Sequence, residues 1–274
     1  QMCIRDRFLA FDPSQRASFP RPSYVGTVSN QNLRGIASTD MVIVTSSAMR
    51  SAAETLANHR EQGYGLDVEV VTIDQVYNEF SSGQADLSAV RDFMRMLYKT
   101  APSPEERPQY LLLLGDASFD PKNRVSSGSR NIVLTYESPE SFSPLQTYAT
   151  DDFYGFLDDD EGSNIATISQ SSNLDIAIGR LPVATSEEAM DLVEKIIDYD
   201  EGSHFGDWRN RVTFVADDED NELHMRDADE LADWVRPNQP SLNVDKIYLD
   251  AFAQVNAAGG DRYPSVNEAI DRQL

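Results

Sequence analysis

One stretch constrains the fold more than any other: Tyr110-Leu111-Leu112-Leu113-Leu114-Gly115-Asp116-Ala117-Ser118-Phe119-Asp120. An apolar run of strand length stops at Gly-Asp, and the turn after it carries two carboxylates. A strand that is apolar on both faces belongs in the middle of a parallel sheet covered by helices on each side. In such sheets ligands gather beyond the carboxyl ends of the strands. Two readings of Asp116 and Asp120 follow: an ordinary polar turn, or a functional edge.

The rest of the pattern alternates strand and helix, which predicts an α/β fold with a mostly parallel sheet and right-handed crossovers. Strands are expected at 41–45, 68–72, 110–114, 174–180, 212–216 and 244–249. Ser46 and Ser47 offer N-caps to a helix with Met49, Ala52, Ala53, Leu56 and Ala57 inward, ended by Gly63 or Gly65. Residues 73–83 read as a helical turn with a loop. Leu87, Val90, Phe93, Met94 and Leu97 mark a full helix stopped by Pro102 and Pro104. Residues 121–173 form a long insert, of the kind that usually carries function. Thr185 and Glu188 have capping-box spacing before the next helix, and Ser265 and Glu268 repeat it near the end. A further helix is expected over 221–235.

The ends read differently. Residues 1–7 join no element, and Met2-Cys3-Ile4-Arg5-Asp6-Arg7 looks like a translated sequencing adaptor. Residues 8–40 lack periodicity and read as a linker or the edge of a preceding domain. The folded pattern then spans 41–274 and stops where a helix has only begun, as in a truncated reading frame.

Composition excludes several function classes. With a net charge of −23 the chain has nothing to neutralise a row of phosphates, so nucleic acid is not an expected partner. The only cysteine is Cys3, so no internal disulfide forms. No apolar run is long enough to span a bilayer. There is no Gly-x-Ser-x-Gly elbow and no Gly-rich phosphate loop. Three histidines and one cysteine cannot build a nitrogen and sulfur metal site. His59 and His204 lie in incidental settings, whereas His224 sits in the first turn of a helix beside Asp217-Asp218-Glu219-Asp220. Calcium needs clustered oxygens. Asp158, Asp160 and Glu161 offer them, as do Asp217, Asp218 and Asp220, against the plainer reading of solvated acidic turns.

A series of motifs adds to this reading. In order they are Asn30-Gln31-Asn32-Leu33, Tyr77-Asn78-Glu79-Phe80-Ser81-Ser82-Gly83, Asp92-Phe93-Met94-Arg95-Met96-Leu97-Tyr98 and Leu114-Gly115-Asp116-Ala117-Ser118-Phe119-Asp120. Thr150-Asp151-Asp152-Phe153-Tyr154-Gly155, Ile178-Gly179-Arg180-Leu181-Pro182-Val183, Trp208-Arg209-Asn210 and Ala216-Asp217-Asp218-Glu219-Asp220 complete it. The ordered set resembles the gingipain-type cysteine peptidases, and among them the sortases of type IX secretion.

That resemblance implies a caspase-like α/β fold, incomplete here at its C-terminus. It implies a histidine in a Gly-His-Gly segment and a later cysteine, both expected beyond Leu274, so the fragment alone is expected to be inactive. The family's orienting acid matches Asp218 best, with Asp217 as rival. A carboxylate there fixes the imidazole tautomer and stabilises the imidazolium. Asp116, Asp151, Asp152, Asn221 and His224 are the candidate substrate-binding residues. Asn221 stands where gingipains carry a specificity acid, which fits a sortase better than a peptidase selective for basic side chains. The implied cargo carries C-terminal signal domains, removed through a thioester that water or lipopolysaccharide resolves. The expected partners include other type IX secretion components, and the expected place is the outer-membrane surface. No cofactor is required by this chemistry, with calcium left open at the acidic turns. The alternative is a non-catalytic acidic binding module.

Overall fold

The computed structural model describes residues 12, 14, 23–24, 26–125, 130–138, 142–143, 147–159, 161, 173–202, 205–217, 219–257 and 260–273. The chain divides into two compact units, Gln1–Ala189 and Met190–Leu274. Both are built from parallel strands with helices packed on them.

The first unit opens with β1 (Met41–Thr45), α1 (Arg50–Tyr64), β2 (Val68–Thr72), α2 (Ile73–Phe80), α3 (Leu87–Thr100) and β3 (Tyr110–Leu114). Two short strands follow, β4 (Tyr136–Glu137) and β5 (Ala149–Thr150), then β6 (Ala177–Leu181). Strands β1, β2, β3 and β6 form one parallel sheet in the order β2-β1-β3-β6. The apolar run read first in the sequence is therefore an interior strand, between β1 and β6.

Alternation along the strands sends side chains to both faces, and both are covered. Val42, Val44, Val71, Leu111 and Leu113 pack with Ile73 and Val76 of α2 and Val90, Phe93, Met94 and Leu97 of α3. The opposite face carries Ile43 and Val70, against which α1 lays its buried Ala52, Ala53, Leu56 and Ala57. Removing one such side chain, Ile43→Ala for example, costs about 2–5 kcal/mol. The insert between β3 and β6 contributes Val133, Phe153, Tyr154 and Leu157 to the first core, so its described part is structured and not peripheral.

Local signals explain most element ends. Gly65 closes α1 in the left-handed conformation at φ 70°, with its N–H on the Glu61 carbonyl. Helix α2 is a complete helix rather than a turn and loop, because Thr72 and Gln75 form a reciprocal capping box. Ser46 and Ser47 do not cap α1: a 3-10 turn, Ser47–Met49, intervenes and neither serine side chain makes a cap hydrogen bond. Residues 31–36 dock on α2. The Glu79 carboxylate accepts from the backbone N–H groups of Leu33 (2.8 Å) and Arg34 (3.2 Å) and from Gln31 Nε2 (2.9 Å), and Leu33 is buried.

Helix α4 (Ser186–Glu201) starts with the expected box: Glu188 N donates to Thr185 Oγ1 and Thr185 N to Glu188 Oε2. The second unit then holds β7 (Arg211–Ala216), α5 (Glu219–Asn238) and β8 (Asn243–Tyr248). Strands β7 and β8 pair in parallel, with Ala216 opposite Tyr248. The hairpin of β9 (Val255–Ala257) and β10 (Gly260–Arg262) and helix α6 (Pro264–Asp271) complete it. Ser265 does not cap α6: Tyr263 is the N-cap, without a side-chain bond, and Pro264 takes the first helical position. A proline there needs no N–H partner, so it fixes the start two residues early.

Candidate active site

In the first unit, three of the sequence motifs converge at the carboxyl ends of β3 and β6. Gly115 N donates to the Leu181 carbonyl and Asp116 N to the Val183 carbonyl, which extends the pairing of the two strands past their ends. Gly115 has φ 152°, and a Cβ there would collide with the Ile132 side chain. Only glycine lets the chain turn so close to the insert.

Arg180 is the hub of this edge. Its Nε and Nη2 grip both oxygens of Asp151 at 2.7 and 2.8 Å. Its Nη1 donates to the carbonyls of Gly115 (2.7 Å) and Val133 (2.8 Å), and Nη2 also reaches the Leu134 carbonyl. The pair is largely buried, with side-chain exposures of 14% and 21%. A fork-to-fork pair with every remaining donor satisfied is the arrangement in which a buried ion pair repays its desolvation. Thr135 Oγ1 adds a bond to Asp151, and the buried Tyr154 hydroxyl donates to the Leu134 carbonyl at 2.5 Å. Burial raises the Tyr154 phenol well above its ordinary range.

The expected substrate-binding carboxylates thus fare differently. Asp151 is committed to Arg180. Asp116 Oδ1 accepts from Ala117 N, and its carbonyl receives Ile132 N at 2.9 Å. Asp152 is exposed in a 3-10 turn, Asp152–Gly155. Asp120 is buried and accepts from the N–H groups of Arg124 and Val125, so it organises its own loop. Arg180 belongs to one of the sequence motifs, but its role as a hub was missed there. The available signal is a lone arginine in an otherwise apolar strand, since a charge in that position needs a partner.

In the second unit the turn after β7 lines a cavity of about 430 Å³ together with His224 and Leu249. Asp217 is half-buried, and its Oδ1 is shielded from solvent with no hydrogen-bond partner among the described residues. A carboxylate oxygen left so carries a desolvation cost of about 1–3 kcal/mol that a donor would remove. Asp218 lies outside the described residues. His224 is exposed on α5, on the wall of the same cavity. The start of α5 is irregular: Asn221 and Glu222 adopt left-handed backbone at φ 59° and 62°. Asparagine tolerates this conformation, glutamate far less, so the turn stores strain beside the cavity.

Neither acidic turn gathers a described metal site. Among the described residues no group of three His, Cys, Asp or Glu side chains converges. Asp160 and Asp218 lie outside them, as does the side chain of Asp220. Asp158 N donates to Glu161 Oε2, and the adjacent Asp159 pairs with Arg95 and Lys99. Hydrogen bonds from Lys99, then its charge and the Arg95 contact, hold the Asp159 carboxyl below the usual range.

Comparison with known proteins yields three findings. A model of peptidase family C25 matches residues 36–274. The crystal structure of dimeric latent PorU from Porphyromonas gingivalis matches with a TM-score of 0.58 and 35% identity, over 70% of this chain and 18% of that one. A second solved structure, described as a protease, covers 64% of this chain and 31% of its own at 16% identity, with a TM-score of 0.43. The chain therefore spans less than a fifth of the length of PorU. No curated protein matches. Among the described residues no helix is long and apolar enough to cross a membrane.

Proposed function

We propose, from the premise that this chain belongs to peptidase family C25, the gingipain family, that it is the strand-and-helix frame of a cysteine peptidase of the PorU kind, acting as a sortase. The fold is of that α/β class, and 35% identity to PorU supports the particular kinship. In the parent protein a thiolate attacks the scissile amide of a cargo protein ahead of its C-terminal signal domain. The amide nitrogen leaves as an amine, taking a proton from the imidazolium. The acyl group stays on sulfur as a thioester, until water or an amine of lipopolysaccharide takes it. Other type IX secretion components deliver the cargo, and the setting is the outer-membrane surface. The chemistry requires no cofactor.

The turn after β7 supplies the acid that orients the imidazole, from Asp218 or its neighbour Asp217. The observation that carries this is the shielded Oδ1 of Asp217, without a hydrogen-bond partner among the described residues, in the lining of a cavity. An imidazole N–H is the kind of donor that such an oxygen lacks, and the bond would fix which ring nitrogen stays free to take the thiol proton.

The test uses the parent protein and a cargo carrying its C-terminal signal. Cleavage blocked by thiol alkylation, with the released chain captured by added glycine amide in place of water, supports a sortase. Cleavage that survives alkylation in a variant lacking Cys3 would sink the cysteine mechanism. The 274 residues by themselves should turn over no peptide.

A further inference from the structure

The first turn of α5 follows directly on the acidic turn after β7. The first four N–H groups of a helix have no partner within it. In α5 they belong to Glu219, Asp220, Asn221 and Glu222. A carboxylate just ahead of a helix is their usual acceptor, because a side-chain oxygen there reaches the N–H groups of the second and third helical residues. The positive end of the helix dipole draws the same charge. Asp217 stands two residues ahead of α5, so capture of its carboxylate by this turn is the ordinary outcome. Its Oδ1 escapes: it is shielded from solvent, with no hydrogen-bond partner among the described residues.

The backbone supplies a reason. Asn221 and Glu222 hold φ values of 59° and 62°. In a regular first turn the N–H groups point together out of the helix end. A left-handed residue swings the peptide planes on either side of it, and two in succession break that array. Glutamate occupies this region only against a steric penalty, so the surrounding structure must hold it there. Beyond the strained pair, His224 lines the same cavity as Asp217 and Leu249. An acid that orients an imidazole needs an oxygen that its own helix has not taken.

We propose that Asn221 and Glu222 are positioning residues for that acid: their left-handed backbone turns the first-turn N–H groups of α5 away from Asp217 and keeps its Oδ1 free for an incoming N–H donor. The catalytic half of this inference rests on the reading of Asp217 as the orienting acid; the backbone half does not.

Two substitutions separate the halves. Glu222→Gly and Glu222→Val both remove the carboxylate but act oppositely on the backbone. Glycine enters the left-handed region without penalty, and a β-branched side chain is nearly barred from it. In the 274-residue chain Glu222→Gly should raise the melting temperature by about 1–4 °C, whereas at a right-handed helical position glycine lowers it. Glu222→Val should let the turn wind right-handed and present its N–H groups to Asp217. Hydrogen exchange of the amides of residues 219–222 should then be at least about tenfold slower than in Glu222→Gly, as befits a hydrogen bond to a charged group. A lowered melting temperature in Glu222→Gly, or equal first-turn exchange in the two folded variants, would overturn the proposal. If Glu222→Val does not fold, the sign of the glycine shift decides alone. In the parent protein kcat for cargo cleavage should be at least about tenfold lower in Glu222→Val than in Glu222→Gly at equal KM, because imidazole orientation acts on the chemical step. Equal kcat beside the expected exchange difference would uphold the backbone device and overturn Asp217 as the acid.

Discussion

Arg180 holds five hydrogen bonds at the end of an apolar strand, and its loss should be felt well beyond one contact. Arg180→Ala leaves Asp151 buried without its partner, which costs about 3–5 kcal/mol by equilibrium denaturation. Arg180→Lys keeps the charge but loses the fork, so it should recover only part of that. Gly115→Ala meets both a left-handed backbone and Ile132, and should destabilise by about 1–3 kcal/mol. Glu79 carries a pH dependence. Desolvation raises its carboxyl, but the opposing hydrogen bonds from Leu33, Gln31 and Arg34, with the Arg34 charge, leave it lowered overall. A carboxyl lowered in the fold stabilises above its unfolded value and loses that contribution as pH falls through the folded value. The protection factors of the Leu33 and Arg34 amides should therefore fall below about pH 4, the ordinary glutamate range, and an unchanged protection factor at pH 3 would contradict this.

At the scale of elements, the boundaries read from sequence hold where a strong local signal marks them, whereas β6 begins at Ala177, three residues after the expected Leu174. The Thr185 and Glu188 box opens α4, Gly65 ends α1, and the prolines after Thr100 end α3. They slip where two rules compete. Ser265 has the right spacing for a cap, yet Pro264 at the first helical position outranks it. Thr72 and Gln75 carry a capping-box signal that is easily passed over because the segment after them is short. Thr72→Ala should cost about 1 kcal/mol and selectively loosen α2. The insert is the least legible element, since Val133, Tyr154 and Leu157 lie far apart in sequence without periodicity and join the core through tertiary contacts alone. Gly115, Asp151 and Arg180 each stand in a recognisable motif, but their convergence is invisible in sequence because it depends on the β3–β6 register.

At the scale of the whole molecule, family membership and the parallel-sheet frame agree, and the remaining claim is chemical: the turn after β7 holds the acid of a thiol–imidazole centre in the parent protein. The most direct measurement compares cargo cleavage by the parent protein with that of Asp217→Asn and Asp218→Asn, each checked for an unchanged melting curve. One of the two should lose about 10²–10⁴-fold in kcat, the scale of an acid that sets an imidazole's tautomer. Full activity in both folded variants would contradict that assignment.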